Sequence, residues 1–110
     1  MRVSVSQEGG VSFIAIEGSL DGKTAPLVRQ EIAATLQAAK SVILDMSKVD
    51  YLSSAGLRLL LLVYREFVAK QGRLVLLGVS DDIRTVMSHT GFLNFFTLAG
   101  SKAEALQALS

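Results

Sequence analysis

Two adjacent serines, Ser53 and Ser54, are the residues of this chain whose type and position best suit chemistry. They stand just before Ala55-Gly56-Leu57, where an apolar helix is predicted to begin. The free N–H groups and the positive dipole end of a helix N-terminus favour a capping hydroxyl, and they also tolerate a phosphate. The residues alone therefore leave two alternatives open, a plain cap or a phosphorylation switch, and chemistry by itself favours the cap.

A buried strand, a helix and a second strand are predicted around these serines. The apolar segment from Val42 to Met46 is the first strand, and a short polar connection leads from it to the serines. The helix runs from Ala55 to about Lys70 and ends near Gly72, a residue type common just after a helix. The apolar segment from Arg73 to Leu77 is the next strand. This order predicts a right-handed crossover between adjacent, parallel strands.

The amino-terminal part of the chain is predicted to form a hairpin followed by a helix. A strand with alternating apolar and polar residues precedes the turn signal Gly9-Gly10, and the second strand covers Val11 to Glu17. The segment from Gly18 to Lys23 is predicted to be a loop. An amphipathic helix then begins with Thr24 as its N-cap.

The carboxy-terminal part contributes three further elements. Ser80-Asp81-Asp82 opens a short helix that Gly91 closes, and Asn94 to Leu98 is a short final strand. Ser101 and Glu104 have the spacing of a capping box for a last helix. The complete order is β-β-α-β-α-β-α-β-α. It predicts an α/β fold with helices packed on a mixed sheet of four or five strands.

Composition excludes several classes of function. The 110 residues, half of them apolar, fit a single domain over positions 1–110. A formal charge of +1 gives no field that would attract nucleic acid or an acidic membrane. The chain has no cysteine, no signal-peptide core and no apolar run near the roughly 20 residues that span a bilayer. We therefore expect a soluble, cytoplasmic protein.

The serines lack the companions that an enzyme would need. His89 is the only histidine and is expected on the surface at a helix end. Leu52 stands two residues before Ser54, so the G-x-S-x-G motif of serine hydrolases is absent. No glycine-rich phosphate loop occurs either. We expect no catalytic residue, no metal site and no cofactor, so another protein would have to phosphorylate the chain.

The segment from Asp45 to Leu57, DMSKVDYLSSAGL, resembles the signature of STAS domains, and most nearly that of the small bacterial anti-sigma-factor antagonists. The resemblance extends to Gly18-Ser19-Leu20-Asp21, to Gly91-Phe92-Leu93 and to the chain length. It implies the STAS fold, with helices mainly on one side of the sheet. It also implies that Ser54, two residues before the glycine, is the phosphoacceptor. The preceding residue is usually Asp in the family and is Ser53 here, so Ser53 is the alternative site.

The resemblance further implies a mechanism of partner exchange. The unphosphorylated form would bind an anti-sigma factor and free a sigma factor. That anti-sigma factor is usually a serine kinase that uses ATP, and a metal-dependent serine phosphatase reverses its action. The alternative is a STAS module of another assembly, such as a lipid-transport complex or a signalling scaffold, in which the serine stays unmodified.

Residues around the serines are the predicted contacts of this partner. Asp21 is a turn residue, a binding residue or both, and Tyr51 belongs either to the core or to the interface, whereas Leu52 is expected in the core. Gly56 would allow a partner backbone or a neighbouring loop to approach closely. Arg58 lies either on a solvated helix face or against acidic groups of the partner. The predicted partner-binding set is Asp21, Gly22, Thr24, Tyr51, Ser53, Gly56 and Arg58.

Overall fold

Five strands form one sheet in the order β1-β2-β3-β4-β5 in the computed structural model, which describes residues 1–109. Strands β1 (Arg2–Glu8) and β2 (Val11–Leu20) are antiparallel. The remaining neighbours, which add β3 (Ser41–Leu52), β4 (Arg73–Leu77) and β5 (Thr97–Ala99), are all parallel. The predicted mixed sheet and the parallel pairing of β3 with β4 are confirmed.

Four α-helices accompany these strands within the described residues. They are α1 (Ala25–Ala38), α2 (Ser54–Ala69), α3 (Asp81–His89) and α4 (Lys102–Leu109), and a short 3₁₀ helix (Leu93–Phe95) precedes β5. The predicted order β-β-α-β-α-β-α-β-α is confirmed.

The two faces of the sheet carry different layers of helix. Successive strand residues point to opposite faces, so Val42 and Leu44 of β3 belong to the large core beneath α1, α2 and α3. Ile43, between them, packs with Val75 and with Ala105 of α4 in a smaller second core. The prediction of helices mainly on one side is confirmed.

The largest difference from the predicted elements is the length of β2 and β3. The segment predicted as a loop from Gly18 begins as strand, because Gly18 pairs with Val49 and Leu20 with Leu52. The polar connection predicted after Met46 is likewise strand. Two register shifts interrupt the pairing of β2 with β3. The sheet hydrogen bonds therefore extend through residues whose composition resembles a loop, up to the start of α2.

The end of α2 also differs from the prediction. Gln71, and not Gly72, adopts the left-handed backbone conformation, with φ of 58°. The N–H of Gly72 donates to the carbonyl of Phe67 and that of Gln71 to Val68, which is a Schellman motif. A Cβ on Gly72 would lie 2.9 Å from the carbonyl oxygen of Lys40. Close approach of the α1–β3 connection therefore accounts for the glycine.

Aromatic residues account for the shift of the final strand. The segment Asn94 to Leu98 was expected to be extended, but Phe95 lies in the 3₁₀ helix and strand pairing begins at Thr97. The ring centroid of Tyr64 in α2 lies 5.6 Å from that of Phe95 and 5.5 Å from that of Phe96. Packing of the two phenylalanines on α2 thus competes with the extended conformation that their type favours.

The predicted start of α3 and the predicted capping box of α4 are confirmed. Ser80 caps α3 by accepting a hydrogen bond from the N–H of Ile83 at 3.2 Å. Ser101 accepts from the N–H of Glu104 at 3.2 Å, and the Glu104 carboxylate accepts from the N–H of Gly100 at 3.1 Å. Both serines thereby satisfy N–H groups that the helices leave free.

Candidate functional site

The two serines at the start of α2 have different structural roles. Ser53 is the N-cap, with extended backbone, and its Oγ accepts a hydrogen bond from the N–H of Gly56 at 3.3 Å. Its own N–H donates to the carbonyl of Leu20 at 3.0 Å. Ser54 is the first helical residue and is exposed, and its hydroxyl makes no hydrogen bond within residues 1–109. The cap and the candidate phosphoacceptor are therefore separate residues.

Because Ser53 provides the cap, we predict that Ser53→Ala lowers the free energy of unfolding by about 1 kcal/mol, the usual loss for a serine N-cap. Ser54→Ala is the matched control and is expected to leave stability unchanged. Urea unfolding of both variants measures the difference. Equal stability of the two variants would contradict the assignment of Ser53 as the cap.

Asp21 organises the connection between β2 and α1. Its Oδ1 accepts hydrogen bonds from the N–H groups of Lys23, at 2.9 Å, and Thr24, at 3.0 Å. These N–H groups, that of Thr24 first, lower the pKa of the Asp21 carboxyl below its usual value. The carboxylate is thus bonded at neutral pH, and protonation weakens the turn only as the pH falls through this lowered pKa. The turn role predicted for Asp21 is confirmed.

Thr24 precedes α1 as predicted, but its side chain does not cap the helix. The Oγ1 of Thr24 donates to the carbonyl of Ser19 at 2.7 Å and accepts from the N–H of Asp21 at 2.9 Å. The hydroxyl is half-buried and is used to hold the connection in place. Thr24 therefore stabilises the connection between β2 and α1 through these hydrogen bonds.

The connection and the start of α2 form one surface. Gly22, Ala25 and Pro26 line one side of a groove, and Ala55 and Arg58 line the other. Gly22 and Arg58 are exposed, and Arg58 makes no ion pair in the described part of the chain. The structure thus brings these two predicted contact residues to the same groove, beside Ser54.

Tyr51 and Leu52 are neighbours in β3 but differ in burial, in a stretch where two register shifts against β2 interrupt simple alternation. Tyr51 is 56% exposed and Leu52 is 5% exposed. Leu52 is thus a core residue as predicted, and Tyr51 takes the surface position that an interface anchor needs. Sequence reasoning did not identify the neighbouring contact, in which Ser19 donates to the Asp50 carboxylate at 3.0 Å. Both polar residues face outward from paired strands, which only the register reveals.

Gly56 is buried, and the structure distinguishes between the two close approaches that the sequence allowed. A Cβ at this position would lie 2.4 Å from the carbonyl oxygen of Leu20 and 2.8 Å from Cδ1 of Leu52. The close neighbour is thus the end of the chain's own strand β2, which is the second of the two alternatives. We therefore assign Gly56 to packing beneath the site.

Neither a metal-binding cluster nor a membrane-spanning helix occurs in residues 1–109. Residues 1–109 contain no cluster of histidine, cysteine or carboxylate side chains suited to a metal ion. His89 lies exposed at the end of α3, as predicted. Among the helices of these residues, none has both the length and the apolar character needed to cross a membrane.

Comparison with known proteins identifies relatives over nearly the whole chain. The STAS domain family model matches residues 2–105. BtrV of Bordetella bronchiseptica, provisionally named an anti-sigma factor antagonist, is 33% identical over 109 residues, which are 98% of this chain and 94% of BtrV. The anti-sigma-B factor antagonist of Listeria monocytogenes is 27% identical over 93 residues, covering 83% and 81% of the two chains. The crystal structure of an anti-sigma factor antagonist from Mycobacterium paratuberculosis matches with a TM-score of 0.89 and 28% identity, over 98% and 92% of the chains.

Proposed function

Because the chain belongs to the STAS domain family, we propose that it is an anti-sigma factor antagonist whose unphosphorylated form binds an anti-sigma factor and frees a sigma factor. The names of its relatives support this function. We propose that residues 1–110 act as one domain, in the cytoplasm, and that the protein regulates by binding and not by catalysis.

The free hydroxyl of Ser54 is the observation that carries the proposed switch. Ser53 already caps α2, so the fold itself has no use for a second hydroxyl at this point. A phosphate on Ser54 would add about 1.5 to 2 negative charges at an exposed helix start. The helix dipole favours an anion there, so the domain would stay folded while its surface changes. Phosphorylation would thus act on the interface.

The same surface supports the partners that we propose. Gly22, Tyr51 and Arg58 are exposed around Ser54, so an anti-sigma factor docked on them would cover the hydroxyl. We propose that this anti-sigma factor is also the serine kinase and that a metal-dependent serine phosphatase restores the binding form. The alternative, an unmodified module in a lipid-transport complex or signalling scaffold, gives the Ser54 hydroxyl no role.

Phosphate mapping tests the proposal most directly. The chain is incubated with its cognate anti-sigma kinase and ATP, and the product is examined by intact mass and peptide mapping. We expect one phosphate, located on Ser54, and none on Ser54→Ala, whereas Ser53→Ala remains a substrate. Phosphate found on Ser53 would show that Ser53, and not Ser54, is the phosphoacceptor. Absence of phosphate from both serines with the true kinase would favour the unmodified module.

A further inference from the structure

Strand β1 forms one edge of the sheet and leaves one side of its backbone unpaired. Its only strand neighbour in residues 1–109 is β2, to which it is paired without interruption from Arg2–Glu17 to Glu8–Val11. Six of its seven residues are exposed, among them Val5 at 43%. Natural edge strands are usually protected by proline, a bulge or charged side chains. β1 has no proline, its pairing with β2 shows no bulge, and its two charged residues, Arg2 and Glu8, stand at its ends, so the middle of its open edge can accept another strand.

The hairpin geometry identifies the groups that face this open edge. Gly9 and Gly10 both have positive φ, of 56° and 81°, as in the two-residue turns that join antiparallel strands. The residues flanking such a turn, Glu8 and Val11, form a hydrogen-bonded pair. Since the pattern alternates along an antiparallel strand, the N–H and C=O groups that point outward belong to Val3, Val5 and Gln7.

The sequence of β1 is complementary to itself in one antiparallel register. When two copies pair about Val5, each outward-facing residue meets another, with Val5 opposite Val5 and Val3 opposite Gln7. Arg2 of each copy then lies opposite Glu8 of the other, and opposite charges across a strand pair are favourable. Glu8 accepts from Lys102 of its own chain through Oε2, which leaves Oε1 for this arginine. Shifting the register by two residues loses both charge pairs and shortens the overlap.

We propose that β1 pairs antiparallel with β1 of a second copy of this chain, about a two-fold axis at Val5. The two five-stranded sheets would become continuous. The interface is isologous, as in most homodimers. Ser54 and the groove beside it lie outside β1, so each copy keeps its own partner-binding surface. A single strand pair makes a small interface, and the dimer is therefore weak and depends on concentration.

Disulfide trapping tests the direction and register of this pairing. The chain has no cysteine, so each introduced thiol is unique. In the proposed register, Ser4 lies opposite Ser6 of the second copy in a pair without hydrogen bonds. The Cα atoms of such a pair are about 4.5 Å apart. A disulfide can bridge this distance. We expect a mixture of Ser4→Cys and nitrogen-15-labelled Ser6→Cys to form the mixed disulfide fastest. Each variant alone is the matched control, because in a dimer of identical chains the two thiols are not opposite each other but offset along the strands.

Sedimentation of the native chain supplies the second measurement. We expect a monomer–dimer equilibrium whose dissociation constant rises about tenfold in Arg2→Glu, which places carboxylates opposite each other, and changes little in Arg2→Lys. A monomer at every concentration, without preferential mixed disulfide, would overturn the proposal. So would a dimer unaffected by Arg2→Glu. Neither result bears on Ser54, so this inference stands or falls independently of the proposed function.

Discussion

Gly56→Val will lower the free energy of unfolding by about 3 kcal/mol or more, because the added side chain overpacks a closed site. Its Cβ alone would lie 2.4 Å from the carbonyl oxygen of Leu20, and backbone cannot move aside as the end of a flexible side chain can. A loss of this size lowers the melting temperature by roughly 10 °C or more in a chain of this length. Thermal unfolding followed by circular dichroism measures it.

Gly22→Ala is the matched control on the other side of the same site. A Cβ on Gly22 meets no atom within 4 Å, and the backbone there has no positive φ. We expect its melting temperature to stay within a few degrees of the native value. Similar melting temperatures for the two variants would show that close packing at Gly56 does not constrain the fold. The sequence alone left open whether a partner backbone or a neighbouring part of the chain approaches Gly56.

The contact beneath Gly56 also explains how the site is held together. The carbonyl oxygen of Leu20 accepts a hydrogen bond from the N–H of Ser53 at 3.0 Å and packs against Gly56. Leu20 is the last residue of β2, whereas Ser53 caps α2 and Gly56 lies in its first turn. The β2–α1 connection and the start of α2 are therefore fixed relative to each other by backbone atoms. A side chain at position 56 would separate the two sides of the proposed docking surface.

The order of elements was predictable because it depends on local patterns. The apolar segments that became β3 and β4 flank a helix whose buried face recurs at helical spacing, and strands separated by a helix pair in parallel. The extensions of β2 and β3 were not predictable in this way. Gly18 pairs with Val49 and Leu20 with Leu52, and such pairing depends on partners distant in sequence. The local residues carry the signals of a loop.

The functional site, like the fold, was only partly predictable from local sequence. Sequence indicated that a serine starts α2 but could not distinguish the cap from the free hydroxyl, since Ser53 and Ser54 are chemically identical. The distinction arises from the backbone of Ser53, whose ψ of 176° is still extended. The exposure of Tyr51 could not be predicted from strand alternation either. Beyond Met46 the buried residues of β3 are Val49 and Leu52, three residues apart, because two register shifts against β2 interrupt the alternation.

Phosphorylation of Ser54 is expected to weaken binding of the anti-sigma factor by at least about 100-fold. A charge buried at an interface without a counter-charge costs about 3 to 5 kcal/mol, and each 1.4 kcal/mol is about tenfold in affinity. Ser54→Asp should weaken binding by only about tenfold, because one carboxylate carries less charge than a phosphate and has fewer acceptor oxygens. Isothermal titration calorimetry with the cognate anti-sigma factor compares the native, phosphorylated and Ser54→Asp chains.

Two controls separate an interface effect from unfolding. Ser54→Ala should bind as tightly as the native chain, since the hydroxyl makes no hydrogen bond within residues 1–109. The melting temperature of the phosphorylated chain should not fall, because an anion at the first residue of α2 interacts favourably with the helix dipole. If phosphorylation lowered that temperature together with the affinity, the switch would act by loosening the fold. If affinity were unchanged, Ser54 would lie outside the interface, and the partner would have to bind another face of the domain.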